Sequence, residues 1–239
     1  MKLFLTSIVA LLATTGLLAL DDQGNILALA RKAFGPEKKL ISIKSLYYEG
    51  RIVDPAGKAN GLFKLYLRKP YHQRMEIEVD EVLTVTAING LEGYRQMLHK
   101  PSGKSRLGIL NPQQVEKIIV NTIENLFFLK GTEHRNGKII FEGKTELQGK
   151  ECYILKFQYR NNLFFERFID LESGKILATR DERGVLVYQR GEIFSDGIRF
   201  SKSVESYLKE KHINTIHFQH IEVNKVMKDE LFNFPEQPR

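Results

Sequence analysis

Three groups of residues in this chain have types and spacings that suit chemistry. His217, His220 and Glu222 are metal-ligand types lying close together in sequence. Side chains alternate along a strand, so positions 217 and 220 point to opposite faces and can share an ion only across a bulge. Cys152 is the single cysteine, which excludes an intrachain disulfide and a cysteine-based zinc site. It would act as a nucleophile only with a histidine and an orienting group beside it, and otherwise is a small, half-buried strand residue. Glu76 and Glu78 share one strand face about 7 Å apart, near the separation of the carboxylates in inverting glycosidases. They fall among Lys64, Arg68 and Arg74 on a polar face, where cross-strand charge pairing accounts for them. The sequence has no Gly-x-Ser-x-Gly elbow, no His-Glu-x-x-His pair and no glycine-rich phosphate loop. The expectation is a protein that is not an enzyme, with no catalytic residue, metal or cofactor.

The elements that position these residues belong to a globular chain of 239 residues, 42% hydrophobic and 27% charged. A net charge of +7 admits nucleic acid, an anionic membrane surface or acidic ligands as partners. The amino terminus narrows these. Met1 and Lys2 precede an uncharged run from Leu3 to Leu20, and Asp21 and Asp22 follow at once. This is the order of a secretory signal. An uncleaved anchor is the alternative, since roughly 18 residues at about 1.5 Å each give about 27 Å. Residues 1–20 are therefore expected to be a leader or anchor and residues 21–239 one exported, periplasmic domain. Export and the lack of any RNA- or DNA-binding signature argue against nucleic acid. The basic residues Lys38, Lys39, Lys64, Arg68, Lys69 and Arg74 suit transient contact with an anionic membrane or a membrane-protein partner.

Ile26, Leu27, Ala30, Ala33 and Phe34 have helical spacing, with Asn25 as the expected cap and Gly35-Pro36 as the stop. A turn near Lys38 to Ser42 leads into a β-rich stretch from Ser45 to Val53. Phe63, Leu65 and Leu67 then alternate with Lys64, Tyr66 and Arg68, and Met75, Ile77 and Val79 alternate with Arg74, Glu76 and Glu78. Leu83, Val85 and Ala87 are expected to continue the apolar face up to the Asn89-Gly90 hairpin. One amphipathic helix interrupts the strands: Asn111 caps it, Pro112 opens it, and Val115, Ile119, Ile123 and Phe127 lie on its apolar side, with Gly131 as terminator. Turn signals then recur from Gly137 to Asp196-Gly197, implying a second run of hairpins, and a last strand near Asn214 to Val223. About ten strands and a few helices predict a mainly β (α+β) fold. Its expected form is a strongly curved antiparallel sheet making a half-open barrel with covering helices.

The segments Ser45-Leu46-Tyr47-Tyr48-Glu49-Gly50, Gly61-Leu62-Phe63-Lys64-Leu65-Tyr66-Leu67-Arg68-Lys69-Pro70, Asn89-Gly90, Gly149-Lys150-Glu151-Cys152-Tyr153 and Ile169-Asp170-Leu171-Glu172-Ser173-Gly174, with the closing Leu231-Phe232-Asn233-Phe234-Pro235, give the chain its character. In this order, around one amphipathic helix, the pattern resembles the LolA-like outer-membrane lipoprotein-sorting proteins. The resemblance implies a monomeric periplasmic carrier that holds a lipid or lipoprotein acyl chain in an apolar cavity and moves it toward the outer membrane. The alternating strands supply the apolar wall that the resemblance implies, at Phe63, Leu65, Leu67, Met75, Ile77, Val79, Leu83 and Val85. The lid is then the helix bearing Val115, Ile119, Ile123 and Phe127. Two other readings stay open: an envelope peptide-sensing or assembly module with a similar sheet, and a secreted hydrolase.

Overall fold

The computed structural model describes residues 15–235, with side-chain surroundings from residue 23 onward. Helix α1 (Thr15–Phe34) and the short α2 (Glu37–Ser42) precede a six-strand meander. Its strands are β1 (Ser45–Val53), β2 (Ala59–Arg68), β3 (His72–Val79), β4 (Val82–Asn89), β5 (Glu92–His99) and β6 (Lys104–Ile109). Helix α3 (Pro112–Leu126) leads to a second meander of β7 (Lys138–Leu147), β8 (Lys150–Gln158), β9 (Phe164–Asp170), β10 (Ile176–Asp181) and β11 (Val185–Arg190). A small hairpin of β12 (Ile193–Ser195) and β13 (Ile198–Phe200) follows, then β14 (Ser203–Leu208) and the long β15 (Lys211–Val223).

The architecture is mainly β. Thirteen strands form one antiparallel sheet, ordered β6-β5-β4-β3-β2-β1-β15-β14-β11-β10-β9-β8-β7. Strands β15 and β14 join the two meanders, and β6 and β7 are left as unpaired edges. The helices lie on one face, here called the inner face. Helix α1 packs Ile26 and Ala30 against Leu155, Phe157 and Ile169, while α3 sets Val120 on that cluster and Leu126 among the residues of β1 and β2.

Two helix ends differ from expectation. Asn25 does not cap α1, because the helix starts ten residues earlier and Asn25 lies inside it. Leu17, Leu18, Ala19 and Leu20 are strong helix formers, and the helix runs on through Gly24 to end at Phe34, before Gly35-Pro36. The expected leader boundary after Leu20 therefore falls within α1, and the rest of the leader, residues 1–14, lies outside the described residues. The start of α3 matches expectation. Asn111 Oδ1 accepts from the Gln114 amide at 2.9 Å and Gln114 Oε1 accepts from the Asn111 amide at 2.9 Å, a reciprocal cap. Its end does not, since Gly131 is not in the left-handed region and the chain turns at Phe128 and Leu129, with φ of 47° and 71°. Both side chains are buried.

The strand parity also corrects one expectation. Asp80 and Glu81 form a two-residue turn with positive φ at both positions, so Val79 pairs with Val82 and the two share a face. Thr84, Thr86 and Ile88 follow Val82 inward, opposite Ile77, Met75 and Gln73. Leu83 and Val85 instead oppose Glu78 and Glu76 on the outer face, where they join Ala87 and Tyr94 in a separate apolar cluster. The carboxyl-terminal segment covers that side: Phe234 stacks on Tyr94 at 5.0 Å, Arg74 Nη1 donates to the Tyr94 hydroxyl at 2.9 Å, and Phe232 is fully buried beside His72.

Candidate functional site

The register resolves the inner face of the first meander into rows running across the strands. One row is Arg106, Met97, Thr84, Ile77, Phe63, Gly50 and Phe218. The next is Gly108, Arg95, Thr86, Met75, Leu65, Tyr48 and Ile221. On the other flank lies Lys104, His99, Val82, Val79, Gly61, Ile52 and Ile216. Gly50 is required where β1 meets β15, because a Cβ there would sit 2.4 Å from the carbonyl oxygen of His217. Its bare position lets Phe63 and Phe218 meet with ring centroids 6.0 Å apart.

Six of the eight expected wall residues lie on this face: Phe63, Leu65, Leu67, Met75, Ile77 and Val79. Leu83 and Val85 are on the other side of the sheet, for the turn parity already given. Phe63 and Leu67 are buried, whereas Leu65, Met75, Ile77 and Val79 are only half-buried. Three of the four expected lid residues, Val115, Ile119 and Ile123, are buried against Ile88 and Leu110 at one end of the face. Phe127 is half-buried, stacked on His134 at 4.3 Å with the Lys69 ammonium 4.3 Å from its ring. Burial and the nearby Arg31 charge lower the Lys69 pKa, so this lysine serves the helix end and not the outer basic cluster. Helix α3 thus covers the rows near Leu67, Gln73 and Ile88, and Thr122 Oγ1 lies 3.1 Å from Gln73 Oε1. The three rows toward Val79 carry no such cover.

Aromatic side chains fill the middle of the face. From Phe34 the contacts run to Phe128 at 5.1 Å and on to Phe200 at 6.1 Å; Tyr48 then lies 5.9 Å from Phe200 and 5.5 Å from Phe218. They border a cavity of about 150 Å³ that Glu124, Arg167 and Gln189 also line. That volume is below the few hundred Å³ typical of small-molecule pockets, so in this state the chain's own rings occupy the centre.

Two polar devices hold α3 in place. Arg31 donates from Nη1 to the Phe127 carbonyl at 2.9 Å and also to the Phe128 carbonyl, satisfying the helix end that Gly131 does not. Its Nε donates to Glu37 at 2.8 Å, and Lys130 reaches the same carboxylate at 2.7 Å. Those hydrogen bonds hold the Glu37 pKa down at about 2. Deeper in, the buried Glu124 carboxylate pairs with Arg167 at 2.7 Å and accepts from the Tyr159 hydroxyl. Burial first, and the Glu124 charge second, push the Tyr159 phenol well above its ordinary range. A buried charge persists only when paired and hydrogen-bonded, and this one ties the helix to the second meander.

The chemistry candidates fall elsewhere. A bulge lies where Glu49 pairs with His220 and Gly50 with Phe218, so His217 and His220 both pair with outward residues of β1 and share the outer face. The opposite-face expectation fails there. No group of three or more metal-ligand side chains occurs among the described residues, and His220 lies 3.6 Å from Glu222. Cys152 is fully buried, not half-buried, beside Phe168 and Ala178, and burial raises its thiol pKa. Glu76 is bonded by Arg74 at 2.6 Å and Glu78 by Lys100, so both carboxylates are engaged in charge pairing.

No helix among the described residues is long and apolar enough to cross a membrane. No protein-family model matches the chain, and no curated protein matches it. Solved structures do. A LolA superfamily protein from Nitrosomonas europaea superposes with a TM-score of 0.56 at 10% identity, covering 88% of this chain and 97% of its own. A DUF1329 family protein from Desulfovibrio piger gives 0.56 at 13% identity, with coverage of 88% and 96%. An outer membrane lipoprotein-sorting protein domain from Vibrio parahaemolyticus, described as putative, gives 0.52 at 8% identity, with coverage of 89% and 97%. The helix-bearing antiparallel sheet of this chain therefore has the LolA-like fold.

Proposed function

We propose that the protein is an exported, periplasmic carrier that binds the acyl chain of a lipid or lipoprotein on the inner face of β1 to β6 and moves it toward the outer membrane. The observation that carries this reading is the strip of Leu65, Met75, Ile77 and Val79, apolar side chains that pack on the core and stay only partly buried on the face the helices occupy. Apolar side chains left contiguous and incompletely buried are where an apolar ligand can add cover. The rows that contain these residues cross β1 to β6, six strands at about 4.8 Å spacing or about 24 Å, more than the roughly 15 Å that one leaflet of a hydrocarbon core spans. Each methylene buried there contributes about 0.8 kcal/mol, so ten contribute about 8 kcal/mol before ordering costs.

Such binding makes release slow, and a carrier needs a state in which its own side chains compete for the ligand's place. Helix α3 and Phe128, pinned by Arg31 and by the Glu124 and Arg167 pair, provide that closed state. Delivery involves transient contact with a membrane or membrane-protein partner, and the carrier acts as a monomer without catalysis. Purification without detergent followed by organic extraction and mass spectrometry tests this. Co-purified lipid is expected. A bound peptide supports the sensing module instead, and turnover of ester or glycoside substrates supports a hydrolase.

A further inference from the structure

The three open rows do not end alike. Toward β15 they finish in Phe218, Ile221 and Ile216, whereas at the β5 and β6 edge their last side chains are Arg106, Arg95, with only Gly108 beyond it, and Lys104. All three basic residues are exposed and face inward beside Met97, itself exposed. Many bases elsewhere on the molecule are matched, as Arg74 is by Glu76, Arg190 by Glu205 and Lys175 by Glu192. None of these three is in an ion pair among the described residues. Arg95 spends only its Nε, donating to Thr86 Oγ1 at 3.2 Å. The acids nearest in register, Asp80 and Glu81, lie in the turn beyond Val79 and Val82 and bond neither Arg106 nor Lys104. A face that passes from apolar side chains on β2 and β3, through Thr84, Thr86 and His99, to three unmatched cations at one open edge has the polarity of an amphiphile with a negative head.

We infer that the ligand of this face is an anionic phospholipid, its acyl chain lying along the Met75 and Ile77 rows and its head group held at the β5 and β6 edge by Arg95, Arg106 and Lys104. This rests on the carrier reading above and adds to it the charge and the direction of the ligand. A guanidinium fork matches phosphate oxygens in two bonds at once, and two of the three cations are arginines. Because the head sits at a solvent-exposed rim, its attraction weakens with added salt, while the buried acyl chain holds at any ionic strength.

The test incubates the full-length protein with donor vesicles of phosphatidylglycerol or of phosphatidylcholine with the same acyl chains. Lipid that leaves with the protein after separation is then counted by mass spectrometry. The expected result is phosphatidylglycerol capture about 10-fold above phosphatidylcholine at low salt, with the ratio falling toward one in the R95Q/R106Q/K104Q variant and in high salt. Equal capture of the two lipids by the unaltered protein overturns the anionic head and leaves the carrier reading standing. A preference that survives the triple substitution overturns the head-group site. Protein that floats with phosphatidylglycerol vesicles but leaves without lipid also overturns the inference, since a basic membrane-facing surface produces that result. Capture of neither lipid overturns the inference and the carrier reading together.

Discussion

The inner face of the sheet is used in two ways. Over β8 to β10, helix α1 seals Leu155, Phe157, Ile169 and Ile176 into a buried cluster, and the Arg167 guanidinium beside Phe157 is neutralised by the buried Glu124. Over β2 to β4, equivalent apolar positions at Leu65, Met75 and Ile77 are only partly buried, because α3 buries its apolar side against Ile88 and Leu110 and brings only its last turn to Phe63 and Leu67. One strand pattern therefore makes a sealed core where a helix lies on it and a partly buried face, the proposed binding surface, where none does. Amphipathic strands fix which residues face inward; the helices decide which of them meet water.

The largest effect that tests this contrast is truncation of matching side chains in the two regions. Ile169→Ala in the sealed region is expected to cost about 3–4 kcal/mol, whereas Ile77→Ala in the partly buried strip costs about 1–2 kcal/mol, read by urea unfolding. Equal losses would show the two regions to be one core. Next comes the charge that joins them. Glu124→Ala leaves Arg167 buried and unpaired, an expected loss of about 3 kcal/mol and a fall in Tm of roughly 10 °C, and adding Arg167→Met restores most of it. A double variant no more stable than the single one would remove the pair from the account.

The smallest effect is at the Arg31 end of α3. Hydrogen bonds from Arg31 and Lys130 lower the Glu37 pKa from 4.5 to about 2, so its contribution is fully present above pH 4.5 and lost as pH falls toward 2. Glu37 is half exposed, which keeps that contribution small. Thermal melts between pH 6 and pH 2.5 should show a slightly shallower fall for Glu37→Gln than for the unaltered chain, and parallel curves would count against the cluster.

Much of the fold was legible because alternation and capping are local. The stretch from Ser45 to Val53 and the Asn111 cap appear where the residues place them, and the hairpin signalled by Asn89-Gly90 forms one residue later, with Asn89 paired to Glu92 and the turn at Gly90-Leu91. What failed depended on parity and on distant partners. Asp80-Glu81 lacks the glycine that announces a two-residue hairpin turn, so Leu83 and Val85 were expected on the wrong face. The bulge that brings His217 and His220 to one face is imposed by pairing with β1. The end of α3 is set by Arg31, about a hundred residues away in the chain, and no nearby residue signals it. Of the candidate site, six wall residues followed from alternation. The latch of Glu124, Arg167 and Tyr159 carried no local signal, since α3, β9 and the residue that follows β8 each supply one member.

The most direct test is photochemical. A phospholipid with a diazirine in mid-chain, captured by the protein and irradiated, should label Leu65, Met75, Ile77 or Val79 when the peptides are sequenced by mass spectrometry. Labels confined to the outer face near Leu83 and Tyr94, or spread evenly over the surface, would contradict an acyl chain lying in the open strip.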